Sequence, residues 1–153
     1  MLRNIIGTRN DAVMAVLRLV LGIVFFAHGA QKMLGWFGGY GYAGTMGYFA
    51  SLGIPSVFGA LAILTEFLGG IALIIGLLGR VAAAAIIVDM VVAIMLVHRP
   101  NGLFMNWGLA VVGQTAAGEG YEFHLLAIAM ALAILVKGSG AFSADRALAG
   151  SNA

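Results

Sequence analysis

Three histidines, a lysine and two carboxylates set deep in apolar sequence are the side chains of this 153-residue chain best suited to chemistry. His28, Gln31 and Lys32 stand near the end of one apolar stretch. His98 ends another, Glu122 and His124 open a third, and Asn101 and Asn106 lie in the loop between them. Glu66 and Asp89 fall near the middle of two stretches. An ionisable group at membrane depth costs roughly 3 kcal/mol on insertion scales, so it is kept for a function or for a specific helix contact. Imidazole and ammonium donors can hold carbonyl oxygens, and His or Glu can pass protons. At the mouth of an apolar bundle, this set suits the head group of a quinone.

Other readings stand beside that one. Glu66 and Asp89 could form a structural ion pair with Arg18, fix helix register by a hydrogen bond, or act as a relay in a small transporter. The histidines could be amphipathic residues at helix ends that touch headgroups and water. A metal site of His28, His98, His124 and Glu122 would need the fold to assemble it, because no two of these histidines have i, i+4 spacing. A bis-imidazole haem would need histidines at matched depth with a slot between them, which no pair of spans supplies. The expectation is therefore no metal and no haem. With no cysteine in the chain, iron–sulfur and thiol chemistry are not expected either.

The elements that must position these groups are four apolar stretches, Ala12–Leu34, Pro55–Leu78, Arg80–His98 and Tyr121–Lys137. Each is long enough to cross a hydrocarbon core of about 30 Å at about 1.5 Å per helical residue. The chain is 62% hydrophobic and 9% charged, against about 25% charged in a soluble domain. Lipid, not a soluble core, must cover that surface. The fold class expected is an all-α, polytopic transmembrane four-helix bundle. It forms one domain over residues 1–146, with short interfacial helices in the outer loops and a flexible tail over 147–153. The basic N-terminus before an apolar run resembles a signal peptide, but the run is long and its cleavage site poor, so it reads as a retained first helix.

Short loops let positive residues set orientation. One face receives Arg3, Arg9, Arg80, Lys137 and Arg146, with Arg18 just inside. The other carries Lys32 and Arg99, and also Glu119 and Glu122. Both termini should be cytoplasmic. The segment 35–54 is rich in glycine and aromatic residues, and an interfacial helix near Ala43–Leu52 is expected there. It serves as an aromatic belt or as a lid over an outer cavity. Leu103–Val112 is too short to span and should lie in the interface or dip into it.

Helices associate in lipid through small residues. The second stretch carries Gly59, Ala62, Gly69, Gly70 and Gly76 around Glu66, and the third carries Ala82, Ala85 and Ala93 around Asp89. The first has Arg18, Gly22, Phe25, Gly29 and Lys32 roughly in line, and the fourth has His124, Ala127 and Ala131. Both mid-span acids should thus face helices rather than lipid. Counting along the helices puts Glu66 roughly 16 Å from the outer face and Asp89 roughly 14 Å from the inner one. All three histidines fall toward the outer face. There is no basic run for nucleic acid.

Several pieces, taken in order, resemble the DoxX family of small four-helix membrane proteins. They are R-x-x-L-G and F-x-x-H-G-x-x-K (Arg18 to Lys32), A-G-T with Y-F-A-S-L-G-I-P, and E-F-L-G-G-I-A-L-I-I-G-L-L-G-R (Glu66 to Arg80). H-R-P-N-G-L-F-M-N-W (His98 to Trp107), G-E-G-Y-E-F-H-L-L (Gly118 to Leu126) and G-S-G-A-F-S-A-D-R (Gly138 to Arg146) complete the set. The resemblance implies a four-span inner-membrane protein. It is similar to a subunit of a thiosulfate:quinone oxidoreductase and to relatives linked with quinone or oxidative stress. The positions carried over are Lys32, Glu66, His98, Asn101, Asn106, Glu122 and His124, with no catalytic residue assigned.

The functional expectation is a quinone-interacting membrane subunit with a polar cavity on the outer half of the bundle. Its candidate lining is His28, Gln31, Lys32, Glu66, His98, Asn101, Asn106, Glu122 and His124. The alternatives are a non-enzymatic scaffold or assembly factor, or a small transporter. Partners expected are the lipid bilayer, an oxidoreductase subunit and further copies of the chain.

Overall fold

The structure is a computed structural model that describes residues 5–106, 111–112, 115–116 and 118–150. Helix α1 spans Ala12–Leu34. The Asp11 carboxylate caps it by accepting from the Met14 N–H at 3.1 Å, and Gly35 ends it in the left-handed region, φ 74°. That conformation is open to glycine at no steric cost. A short 3-10 turn, Trp36–Gly38, leads to α2, Gly41–Ser51. A helix is expected near Ala43–Leu52, and α2 covers all of that stretch but its last residue.

Helix α3 spans Ser56–Ile75 and stops at Gly76, φ 72°, before the expected end at Leu78. Helix α4 begins at Gly79 and runs to Ala93. It continues through a π-helical turn, Ile94–His98, and a 3-10 turn, Arg99–Asn101. Helix α5 is Glu122–Lys137 and α6 is Ala144–Ala149. The expected tail therefore starts inside a helix. In the long loop before α5, Val111–Val112 pairs antiparallel with Thr115–Ala116. The expected interfacial segment Leu103–Val112 falls largely outside the described residues.

Three helices are long and apolar enough to cross a membrane: Ala12–Leu34, Ser56–Ile75 and the continuous Gly79–Asn101. Helix α5 has 16 residues, about 24 Å of rise, against the roughly 20 residues that a span takes. Length alone thus supports three spans rather than the four expected.

Glycine sets the closest contact. A Cβ on Gly22 would lie 2.9 Å from the Ile74 nitrogen, while Gly29 rests on the Phe67 backbone and Gly70 on that of Phe26. Helices α1 and α3 therefore cross antiparallel with their backbones touching. Helix α5 packs on α4 and α1. Phe25, Leu73, Ile86, Met90, Ala131 and Ile134 fill the space between. The outward faces carry exposed Val13, Val20, Ile23, Leu61, Leu68, Val88, Leu126 and Val136. Such a girdle is the surface that lipid covers.

A polar knot closes the end opposite the histidines. Arg18 is fully buried. It does not pair with Glu66 or Asp89, as the sequence left open. Its Nη1 donates to the carbonyls of Leu73 and Ile74 at the end of α3. Its Nε donates to Ser139 at 2.8 Å and its Nη2 to Phe142 at 3.1 Å. The cation thus sits on the negative end of a helix. Asp145, also buried, accepts from the Leu78 and Gly79 N–H groups at 2.7 and 2.9 Å and from the Ser139 hydroxyl. It caps α4 from a distant part of the chain.

Candidate functional site

At the other end, the last two turns of α1 present His28, Gln31 and Lys32. The Lys32 ammonium makes an ion pair with the Glu66 carboxylate on α3. Glu66 is only 6% exposed, so the pair is half inside the bundle. A single buried carboxylate at this depth would be costly. A cation from the facing helix offsets that cost, provided the geometry holds both.

The Gln31 side-chain amide donates to the Phe37 carbonyl at 3.3 Å, and Gly39 packs on the Gln31 backbone so closely that no Cβ would fit. Thr45, buried on α2, donates to the Lys32 carbonyl at 3.3 Å. These contacts fold the 35–40 turn and α2 over the end of α1. A cavity of about 280 Å³ remains beneath them. His28, Gln31 and Lys32 form one wall, and Tyr40, Thr45, Tyr48 and Phe49 form the other. The His28 ring lies 5.8 Å from that of Phe123 on α5.

A second polar group lies where α4 meets α5. His98 and His124 have ring centroids 4.1 Å apart. His98 Nδ1 lies 2.8 Å from the Glu119 carbonyl, which also accepts from the Asn101 amide at 3.0 Å. The Glu122 carboxylate accepts from the Met105 N–H at 2.9 Å, and that of Glu119 from the Asn106 N–H at 2.5 Å. Three backbone bonds, among them Glu122 N–H to the Leu103 carbonyl at 2.9 Å, complete the lashing. His124 lies underneath, 6% exposed, with its Nδ1 buried and unpartnered among the described residues.

The candidate residues therefore divide. His28, Gln31 and Lys32 line the cavity, and Glu66 stands behind Lys32. His98, Asn101, Asn106 and Glu122 fasten the long loop instead of lining that cavity, and His124 is enclosed below them. Among the described residues no group of three His, Asp or Glu side chains is placed to hold a metal ion. Tyr40, Thr45, Tyr48 and Phe49 were not among the candidates. Their signal was present in the aromatic run of 35–54, which the lid reading had used only as a segment.

The chain matches the DoxX family model over residues 13–99. It is similar to the inner membrane protein YqjF of Escherichia coli (strain K12), 32% identical over 139 residues, covering 91% of this chain and 94% of that protein. It is 33% identical to the uncharacterised membrane protein Rv3486 of Mycobacterium tuberculosis over 142 residues, covering 86% of this chain and 78% of that one. CatD of Bacillus subtilis, provisionally named an oxidoreductase, is 32% identical over 82 residues, 54% of this chain and 57% of CatD. No solved structure matches the chain.

Proposed function

The chain belongs to the DoxX family and is an integral membrane protein, and on that premise we propose that its outer cavity takes the head group of a quinone for a redox or oxidative-stress system. The observation that carries this reading is the cavity wall of His28, Gln31 and Lys32 facing the rings of Tyr40, Tyr48 and Phe49. Donors on one side suit carbonyl oxygens, and aromatic rings on the other suit a flat conjugated ring. A volume of about 280 Å³ is near the lower bound of about 300 Å³ for small-molecule pockets. It admits one substituted ring and leaves an isoprenoid tail to lie in lipid. The name given to CatD supports a redox role.

In this reading α5 crosses as a fourth span, with Tyr121 and the polar residues before it at the outer interface. The membrane is the bacterial inner membrane, as the name of YqjF supports. Both termini are cytoplasmic, in keeping with the arginines at the Arg18–Asp145 end. Electrons reach the bound ring from a partner oxidoreductase subunit, because the side chains that line the cavity carry protons but not electrons.

The test is titration of the purified protein with ubiquinone and menaquinone analogues, read by quenching of tryptophan fluorescence. Saturable binding by the wild type, weakened at least tenfold (about 1.4 kcal/mol) by Lys32→Ala, supports the reading. Absence of saturable binding, or equal binding by wild type and Lys32→Ala, overturns it. The chain has no cysteine, so single-cysteine labelling with an impermeant maleimide reports topology directly. Ser51→Cys should label from outside and Ala147→Cys from the cytoplasm.

A further inference from the structure

Asp89 is the ionisable residue in the bundle that the cavity does not use. Ile86, one turn before it on α4, packs on Gly69, one turn after Glu66 on α3; a Cβ on Gly69 would lie 3.8 Å from Ile86 Cδ1. Helices α3 and α4 run antiparallel across a tight turn, so the next turn outward brings Asp89 level with Glu66. Lys32, Glu66 and Asp89 thus lie at one level of the bundle. The Oδ2 atom of Asp89 is buried and has no hydrogen-bond partner among the described residues.

The charges do not balance. Helix α1 contributes one ammonium, Lys32, with the His28 imidazole on the same cavity wall, and helices α3 and α4 contribute two carboxylates. Arg18 and Arg80 are held by carbonyls at the far end, and α5 brings only the imidazole of His124 toward this level. Two ionised acids against one ammonium would leave a bare negative charge inside the bundle. A buried group in that position takes up a proton rather than remain charged.

We propose that Lys32, Glu66 and Asp89 form a proton-binding site in which Asp89 is the neutral acid. Only a proton moves. The Asp89 O–H bond breaks as an O–H bond forms on water, leaving the carboxylate, and the reverse step refills the acid. The site stands whether or not a quinone occupies the cavity.

Infrared spectroscopy of the full chain in liposomes tests this, because a protonated carboxyl C=O stretch is separate from carboxylate bands. The wild type should show one such band, shifted in heavy water. Asp89→Glu should displace the band and Glu66→Asp leave its position unchanged. Glu66→Gln should abolish it, since Asp89 then ionises against Lys32. Lys32→Gln should strengthen it, since both acids are then neutral. No acid band in the wild type, or one that moves with Glu66→Asp rather than Asp89→Glu, overturns the assignment. So does a band that vanishes when sodium replaces potassium, which would make the occupant a metal cation. Asp89→Glu and Glu66→Asp keep every charge, so the assignment does not depend on a variant that fails to fold.

Discussion

The two ends of the bundle bury ionisable groups in opposite ways. At one end Arg18 and Asp145 are enclosed almost completely, and each is surrounded by backbone and hydroxyl partners. Arg80, nearby, spends its terminal nitrogens on the Leu135, Val136 and Gly7 carbonyls and leaves only Nε buried without a partner. At the other end Lys32 and Glu66 have each other, while Asp89 Oδ2 and His124 Nδ1 have no partner among the described residues. Saturated hydrogen bonding is what holds chain segments together. Unspent buried donors and acceptors beside a cavity are what a ligand or proton can use. The first end is saturated with partners, and the second is the one on which the proposed ligand and proton exchange rest.

That contrast breaks most readily at Arg18. Arg18→Leu would orphan carbonyls on α3 and on the segment after α5, a loss of about 3–5 kcal/mol. The expected result is collapse of the thermal transition in detergent and poor accumulation in membranes. A stable Arg18→Leu protein would mean that the knot is not structural. Asp145→Asn keeps the shape but weakens the cap on α4, at a cost of about 1–2 kcal/mol, read as a smaller drop in the same transition.

The crossing between the two ends gives the next effect. Gly29→Ala places a methyl against the Phe67 backbone, and overpacking of this kind costs about 1–3 kcal/mol. Because α1 must shift to relieve it, the Lys32–Glu66 pair should part as well. Stability and analogue binding should fall together.

The ion pair itself is probed by Lys32→Gln and Glu66→Gln, singly and combined. Residues in direct contact couple by about 0.5–3 kcal/mol, so the double variant should be less destabilised than the two single changes added. Strict additivity in chemical denaturation would show that the pair holds nothing in place. The smallest effect is expected at His98→Ala. It removes one contact from a loop held by several others, worth about 1 kcal/mol or less. Analogue affinity should stay unchanged, and an affinity loss equal to that of Lys32→Ala would merge the two polar groups into one site.

Much of this was legible in the residues. The small-residue stripe at Gly22 and Gly29 gave the face of α1, and that of Gly59, Glu66 and Gly70 gave the face of α3; all five are buried as the spacing requires. The aromatic run of 35–54 gave the helix that roofs the cavity. The end of α3 was read less well, whereas α5 has the expected ends within one residue but is short for a span. Gly76 in the left-handed region stops α3 early, and α5 is only 16 residues long. The division of the candidates between a cavity wall and a loop lashing carried no sequence signal, because His, Asn and Glu at helix ends serve equally in either.

The pattern of apolar and small residues by itself determined that the chain is a membrane protein and which helix faces turn inward, because that periodicity is local and lipid punishes any other arrangement. The partners of each charge were decided only by the tertiary structure. Lys32 rather than Arg18 meets Glu66, and Arg18 meets carbonyls from two distant segments, because an ion pair depends on the register at which crossing helices stop. Here that register is set by backbone contact at Gly22, Gly29 and Gly70, a fit in three dimensions that no spacing along one helix contains.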